Sequence, residues 1–269
     1  MQTSMTKVAY FIIAAFFALS DRSAVAAGGT HRVKCVGNNT IQKALDKAHD
    51  GDVIHVVGNC TEHVVIEKNR ITLIADPGAS LSAPDNSNPA IRIRGQNVRV
   101  EGFSSISGGN QVIQVDRGGS ADIVNNTIEN GDRGILVTQN AYARVARNII
   151  RDNGESGGVT VRNSAAADVD SNTITANMGI GVSVDDGASV DLDDNQITLN
   201  TGDGIRVRGT SHIRLSLNPD LGQANFIEGN LRGIRCQFNS SIRSGIAQNY
   251  GTGNTLANSL VDCSVNGPV

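Results

Sequence analysis

Along most of the chain, apolar residues alternate with polar ones over runs of three to five positions, and Gly, Asn, Asp or Ser interrupts each run. A period of two is the side-chain alternation of a β-strand with one buried face. The interruptions recur as regularly as the runs. "NNTIEN" (125–130), "SNTITAN" (171–177), "DNQITLN" (194–200) and "ANFIEGN" (224–230) each place an Asn two residues before an Ile. Anchored on Asn126, Asn148, Asn172, Asn195 and Asn225, the copies step by 22, 24, 23 and 30 residues, the last step carrying the insertion "LNPDLGQA" (217–224). In phase with them run "GILV" (134–137), "GVTV" (158–161), "GVSV" (181–184), "GIRV" (204–207) and "GIRC" (233–236). Each period therefore holds three short strands separated by turn-formers.

A repeat of this length means a solenoid or a propeller. A propeller blade of four strands needs about 40 residues or more, which excludes it. A leucine-rich repeat needs a Leu consensus and a helical segment, and neither is present. The remaining solution is all-β: a single-stranded parallel β-helix whose coils stack about 4.8 Å apart. In that fold Ile128, Ile150, Ile174, Ile197 and Ile227 form one column of the core. The Asn marks a corner, where its side chain satisfies backbone groups and bonds the equivalent Asn of the next coil. A polar group left unsatisfied there would cost about 1–3 kcal/mol. The Gly before each Ile or Val is expected to supply a turn conformation that a Cβ opposes. Residues 77–118 read as less regular coils, with "DPGASLSAPDNSNP" as a surface loop.

Composition agrees with a stacked aliphatic core. The 269 residues include no Trp, 3 Tyr and 6 Phe, with three of the Phe (Phe11, Phe16, Phe17) near the amino terminus. A net charge of −3 gives no strong pull toward nucleic acid, and no nucleic-acid partner is expected. Beyond Lys68 every basic residue is Arg or His.

"KVAYFIIAAFFALSDRSAVAA" (7–27) has one Lys, a short apolar run from Val8 to Leu19 and the small-x-small stretch Ala24-Val25-Ala26. This is the pattern of a bacterial-looking signal peptide, too short to span a bilayer, with cleavage expected after Ala26 or Ala27. The plain alternative is a short anchor that is kept. The expected location is secreted or periplasmic, with no membrane span after cleavage. Export makes the four cysteines readable as disulfides. Cys35 and Cys60 lie 25 residues apart and Cys236 and Cys263 lie 27 apart, one pair near each end of the mature chain. Each bridge would stabilise by about 3 kcal/mol in the chain-entropy view. No Cys or His spacing suits zinc.

The "NTI…N…GIxV" copies resemble the repeats of the right-handed parallel β-helix, or pectin-lyase-like, superfamily over about 31–245. The stretch "NNTIQKALDKAHDGDVIHVVGNCTEHVVIEKNRITLIAD" (38–76) resembles the amino-terminal cap and first coil of exported members. There Ile41, Leu45 and Ala48 make the stripe of a short capping helix with Asn39 or Thr40 as its cap, and "GDVIHVV" starts the first strand. The resulting division is 1–26 signal peptide, 27–76 cap helix and first coil, 77–245 right-handed parallel β-helix, and 246–269 carboxy-terminal cap clipped back through Cys263. Fold does not decide activity here, because the superfamily holds lyases, hydrolases, epimerases and adhesins.

Two outward columns precede the motif Asn. One reads Asp122, Arg144, Asp168, Asp191, Arg214, and the other Val124, Ala146, Asp170, Asp193, Ser216. Asp168 is expected to pair with Arg144 and Asp191 with Arg214, while Asp170 and Asp193 have no cation in their own column. Asp168, Asp170, Asp191 and Asp193 thus form a two-by-two patch. In the superfamily's polysaccharide lyases, Asp residues on adjacent strands hold Ca²⁺ and an Arg or Lys takes the proton. The resemblance implies Ca²⁺ as the candidate cofactor and Arg214 as the nearest catalytic candidate. The plain alternative is a solvated, partly salt-bridged ladder.

After the Gly, the outward columns read Leu136, Thr160, Ser183, Arg206, Arg235 and Thr138, Arg162, Asp185, Arg208, Gln237. Arg162, Asp185 and Arg208 alternate in sign and are expected to satisfy one another. Arg206 over Arg235 stacks like charges, which a uronate or sulfate of a polysaccharide would relieve; the plain alternative has both splayed into water. "DD" (193–194) and "NTGDG" (200–204) match fragments of a polygalacturonase pattern whose His-Gly and Arg-x-Lys elements are missing, His212 being followed by Ile213.

The leading reading is an exported carbohydrate-binding or structural surface module, since catalytic members usually wall a groove with long loops and the only long insertion here is 217–224. The alternative is a Ca²⁺-dependent lyase of uronate polysaccharides. A protein partner recognised at the surface is a third.

Overall fold

The computed structural model describes residues 28–215, 224–244, 253–261 and 264–265. Their backbone winds as a parallel solenoid of about eight turns, each of about 23 residues. Three sheets of eleven, nine and eight strands form its walls. One coil shows the plan: Ser120–Val124 belongs to the first sheet, Thr127–Glu129 to the second and Arg133–Val137 to the third. Each strand pairs in parallel with its counterparts one coil below and one coil above.

Two boundaries differ from the sequence reading. The first strand is Thr30–Lys34, ahead of the helix, and it pairs with Val53–Val57. The stretch read as a surface loop contains a regular strand, Ser80–Ser82, paired with Asn59–Thr61 and Ser105–Ser107. A second-sheet strand buries one side chain, here Leu81, so three residues leave almost no hydrophobic signature. At the carboxy end, Ala257–Val261 and Ser264–Val265 extend the third and first sheets. Residues 1–26, Ser216 and Cys263 lie outside the described residues.

The helix spans Ile41–Lys47 and buries Ile41 and Leu45 over the open end of the first coil, with Ala48 buried just past its end. Thr40 is its cap, its Oγ1 accepting from the Lys43 N–H at 3.1 Å. The Glu62 carboxylate accepts from the Ile41 and Gln42 N–H groups at 2.7 and 2.9 Å, where the helix dipole favours negative charge. At the other terminus Lys68 Nζ donates to the carbonyls of Leu45 and Asp46. Cys35 and Cys60 form a disulfide beside this cap. Cys236 is also oxidised, and it is buried in the column Val115, Val137, Val161, Val184, Val207, with Val261 as its partner in the next coil.

The core is aliphatic. Ile128, Ile150, Ile174, Ile197 and Ile227 pair in register through consecutive coils, and each is fully buried. The Asn residues at the corner behave as expected. Asn172 Oδ1 accepts from the backbone N–H of Asn148 at 2.9 Å and from its Nδ2 at 3.1 Å, and Asn172 passes the same pair of bonds on to Asn195. The ladder runs from Asn126 to Asn225, and Phe103 N–H donates into its lower end. A second ladder, Asn153, Asn177, Asn200, Asn230 and Asn254, occupies the next corner. The final Asn of the copies ending at Asn177, Asn200 and Asn230 supplies it, while in "NNTIEN" Gly131 takes that rung and donates its N–H to Asn153.

The glycine expectation is corrected. Gly134, Gly158, Gly181 and Gly204 do not adopt positive φ. A Cβ on Gly158 would instead meet Ile174 Cγ2 and the Gly181 carbonyl oxygen, each at 2.7 Å. The left-handed positions fall elsewhere, on residues such as Asn125, Ala176 and Leu199 at φ of 57°, 55° and 56°.

Candidate functional site

The coil register places the acidic columns where the sequence put them. Asp122, Arg144, Asp168, Asp191 and Arg214 are consecutive partners in the first sheet, and Val124, Ala146, Asp170 and Asp193 are consecutive beside them. The ion pairs differ. Arg144 reaches diagonally to Asp170 at 2.8 Å, while Asp168 accepts from the Tyr142 hydroxyl at 2.7 Å. The expectation that Asp168 takes Arg144 is therefore overturned, and Asp170, which has no cation in its own column, receives one from the column beside it, because an Arg stem spans a diagonal as easily as a rung. Burial, and then Asp168, push the Tyr142 hydroxyl up to about 12.

Arg214 bonds Asp191, as the column predicted. That hydrogen bond raises the Arg214 pKa further, so the guanidinium holds its own proton more tightly and is poorly placed to take one from a substrate. Among the described residues, Cys35, Cys60 and Glu62 are the one group of three metal-ligating side chains whose ligand atoms converge, and two of these are joined as a disulfide.

The outward face of the third sheet is more unusual. Its columns also stand as read: Leu136, Thr160, Ser183, Arg206 and Arg235 are consecutive partners, and Arg92 and Gln114 continue the file downward. Eight consecutive coils from Val65 to Arg235 carry it over about 34 Å at the parallel-strand spacing. Near its lower end a cleft of about 360 Å³ opens against the cap helix, between Gln42, Asp46, Glu67, Lys68 and Arg94.

Three aspartates are set into this face, each with a side chain only 5% exposed and each held by two arginines. Asp116 takes Arg94 at 3.2 Å and Arg92 at 3.5 Å. Asp185 takes Arg208 at 2.6 Å and Arg206 at 3.4 Å. Asp203 takes Arg232 at 3.0 Å and Arg235 at 3.9 Å. Arg206 and Arg235 are thus stacked but not left to repel each other in water; each leans on a buried carboxylate. Arg206 also donates to Ser183 Oγ at 2.9 Å. Burial still pushes its pKa down, with Asp185 opposing.

Arg162 corrects another expectation. It makes no ion pair with Asp185, whose oxygens are taken by Arg208, Arg206 and Ser183. Among the described residues, the buried side-chain polar atoms without a hydrogen-bond partner are the Nε atoms of Arg92, Arg133, Arg162 and Arg206, of which Arg92 Nε still lies 3.5 Å from Asp116. All four belong to this one face. Sequence reasoning passed over Asp203, Arg232 and Arg133 because each lies at the entry to a strand rather than in a strand column.

The chain's fold and repeat place it in a family: it belongs to the right handed beta helix region family, whose pattern matches residues 56–220. Over 93 residues it is 37% identical to a cell surface glycoprotein of Methanothermus fervidus. That match covers 34% of this chain and 15% of the glycoprotein, so the chain spans a small part of that relative's length. The crystal structure of an alginate lyase from Paenibacillus sp. aligns with 88% of this chain and 94% of its own at 13% identity and a TM-score of 0.37.

Proposed function

We propose that this protein is an exported β-helix module that binds an acidic polysaccharide along the outward face of its third sheet, without a catalytic step of its own. The observation that carries the reading is the imbalance of charge on that face. Eight arginines (Arg92, Arg94, Arg133, Arg162, Arg206, Arg208, Arg232, Arg235) stand against three buried aspartates and the more exposed Glu67, which pairs with Arg94 at 2.9 Å, in a chain whose net charge is −3. The buried carboxylates fix the guanidinium groups in place, which reduces the ordering cost when a ligand arrives. Forked donors then match carboxylate and sulfate oxygens. A disulfide beside the cap and a relative named as a cell surface glycoprotein both support a location outside the cytoplasm.

The test is calorimetric titration of the mature protein with polygalacturonate, dextran sulfate and neutral dextran. Binding of the two anionic polymers, weakened by R206Q/R235Q, is expected. Equal affinity for all three, or heat from none, would sink the reading. Mass spectrometry of the exported chain, expected to begin at Ala27 or Gly28, tests the export step.

A further inference from the structure

The middle of the strip breaks its own rule. At the position after the third-sheet strand, successive coils carry Asp116, Thr138, Arg162 and Asp185. Above and below, an internal carboxylate lies between arginines. In the two central coils there is none, yet Arg133 and Arg162 are both present. Arg133 opens the strand Arg133–Val137 and Arg162 follows the neighbouring strand Gly157–Val161, so their side chains enter from opposite ends over buried Leu136 and Thr160.

Neither guanidinium has a hydrogen bond or an ion pair among the described residues, and both have a buried, unpartnered Nε. Asp132 and Asp185 favour the charge on Arg133 through space, but neither bonds it: Asp132 accepts from Ser156 at 2.7 Å, and Asp185 from Arg208. Burial lowers the Arg133 pKa, and the positive charge of Arg162 lowers it further. Two half-buried like charges, each with its Nε out of water, repel each other, and an anion between them would relieve the repulsion.

The geometry points to an oxyanion subsite between Arg133 and Arg162, built to receive one carboxylate or sulfate of an acidic polysaccharide lying along the third sheet. This deepens the proposed function and rests on it. Elsewhere on the strip the protein supplies the negative charge from Asp116, Asp185 and Asp203; here the ligand supplies it. The subsite is the anchor, and Arg206 and Arg235 are secondary contacts on the same chain of sugars.

The experiment compares R133Q/R162Q with R206Q/R235Q and the parent chain, using polygalacturonate for the carboxylate arm, dextran sulfate for the sulfate arm, and a DNA oligonucleotide as a competing polyanion. Loss of at least tenfold in affinity for R133Q/R162Q, larger than the loss for R206Q/R235Q, is expected in whichever arm supplies the natural group. The thermal midpoint of R133Q/R162Q without ligand is expected to rise, because a repulsive pair has been removed; a merely structural pair would move it down. If R133Q/R162Q does not fold, R162Q alone gives the same comparison, since Thr occupies the equivalent position one coil below. Unchanged affinity in R133Q/R162Q with a loss in R206Q/R235Q overturns the subsite and leaves the strip standing. Binding of neither polymer by the parent, or an oligonucleotide that outcompetes both, overturns subsite and strip together.

Discussion

The backbone of Gly158 approaches Ile174 so closely that a Cβ on the glycine would lie 2.7 Å from Ile174 Cγ2. The same relationship links Gly181 to Ile197 and Gly204 to Ile227, each at 2.6 Å. The repeat's Gly and Ile are therefore one packing unit. Gly158→Ala is expected to destabilise by about 1–3 kcal/mol, as overpacking of a close-packed core does. Urea unfolding measures it, and a loss below a few tenths would show that the coils can spread.

Glycine should help at a different position of the same coil. Ala176 is exposed and sits at φ 55°, where a Cβ costs about 1–2 kcal/mol. Ala176→Gly is expected to raise the urea midpoint, against the usual trend for glycine substitutions. A lower midpoint would show that neighbouring contacts outweigh that strain.

The Asn ladder makes a third prediction. Asn172 accepts two bonds from Asn148 and donates to the Val145 carbonyl at 2.8 Å and to Asn195 at 3.0 Å. Asn172→Ala orphans several buried groups at once, each worth about 1–3 kcal/mol. Because solenoid coils interact mainly with nearest neighbours, the damage should be local. Hydrogen exchange is expected to quicken around 145–150 and 193–197 first, with the cap helix unaffected.

Acid stability should depend on Asp52. Its carboxylate accepts from His49 N–H at 2.8 Å, from His31 Nε2 at 2.9 Å and from Gly29 N–H at 2.6 Å. Led by the His49 bond, these hold its pKa down to about 2, against 3.8 for the free group. A depressed carboxylate stabilises above its unfolded pKa, and that contribution fades as pH falls from about 4 toward 2. The thermal midpoint of the parent should drop through this window, and Asp52→Asn should flatten the drop. Parallel curves would assign the acid loss to other groups.

Calcium discriminates the acidic patch. With Asp170 on Arg144 and Asp191 on Arg214, millimolar Ca²⁺ is expected to leave the parent's thermal midpoint unchanged. R144Q/R214Q removes both cations from four neighbouring carboxylates and should acquire a Ca²⁺-dependent rise. A rise in the parent would bring the lyase reading forward, to be followed by absorbance of unsaturated uronate with pectate and alginate.

Much of the fold is legible in the repeat itself. Periodicity alone put Ile174 above Ile150 and Arg206 below Arg235, because a parallel solenoid repeats one environment per coil and alternation assigns each side chain to a face. The weakest signals came from strands with a single inward residue, such as Leu81, and from strand-entry residues such as Asp203, whose direction alternation does not specify.

What the sequence by itself determined was the architecture: the length of one coil, the columns, and the identity of the corner Asn, all of which follow from a local repeat and backbone hydrogen bonding. Only the tertiary structure decided which charges meet. An Arg stem reaches rungs, diagonals and neighbouring coils with nearly equal ease, so Arg144 went to Asp170, and Arg206 found a buried carboxylate that Arg133 and Arg162 did not. The same held for the glycines, where the distance to an isoleucine of the following repeat, rather than any preference of the glycine's own backbone, was the deciding quantity.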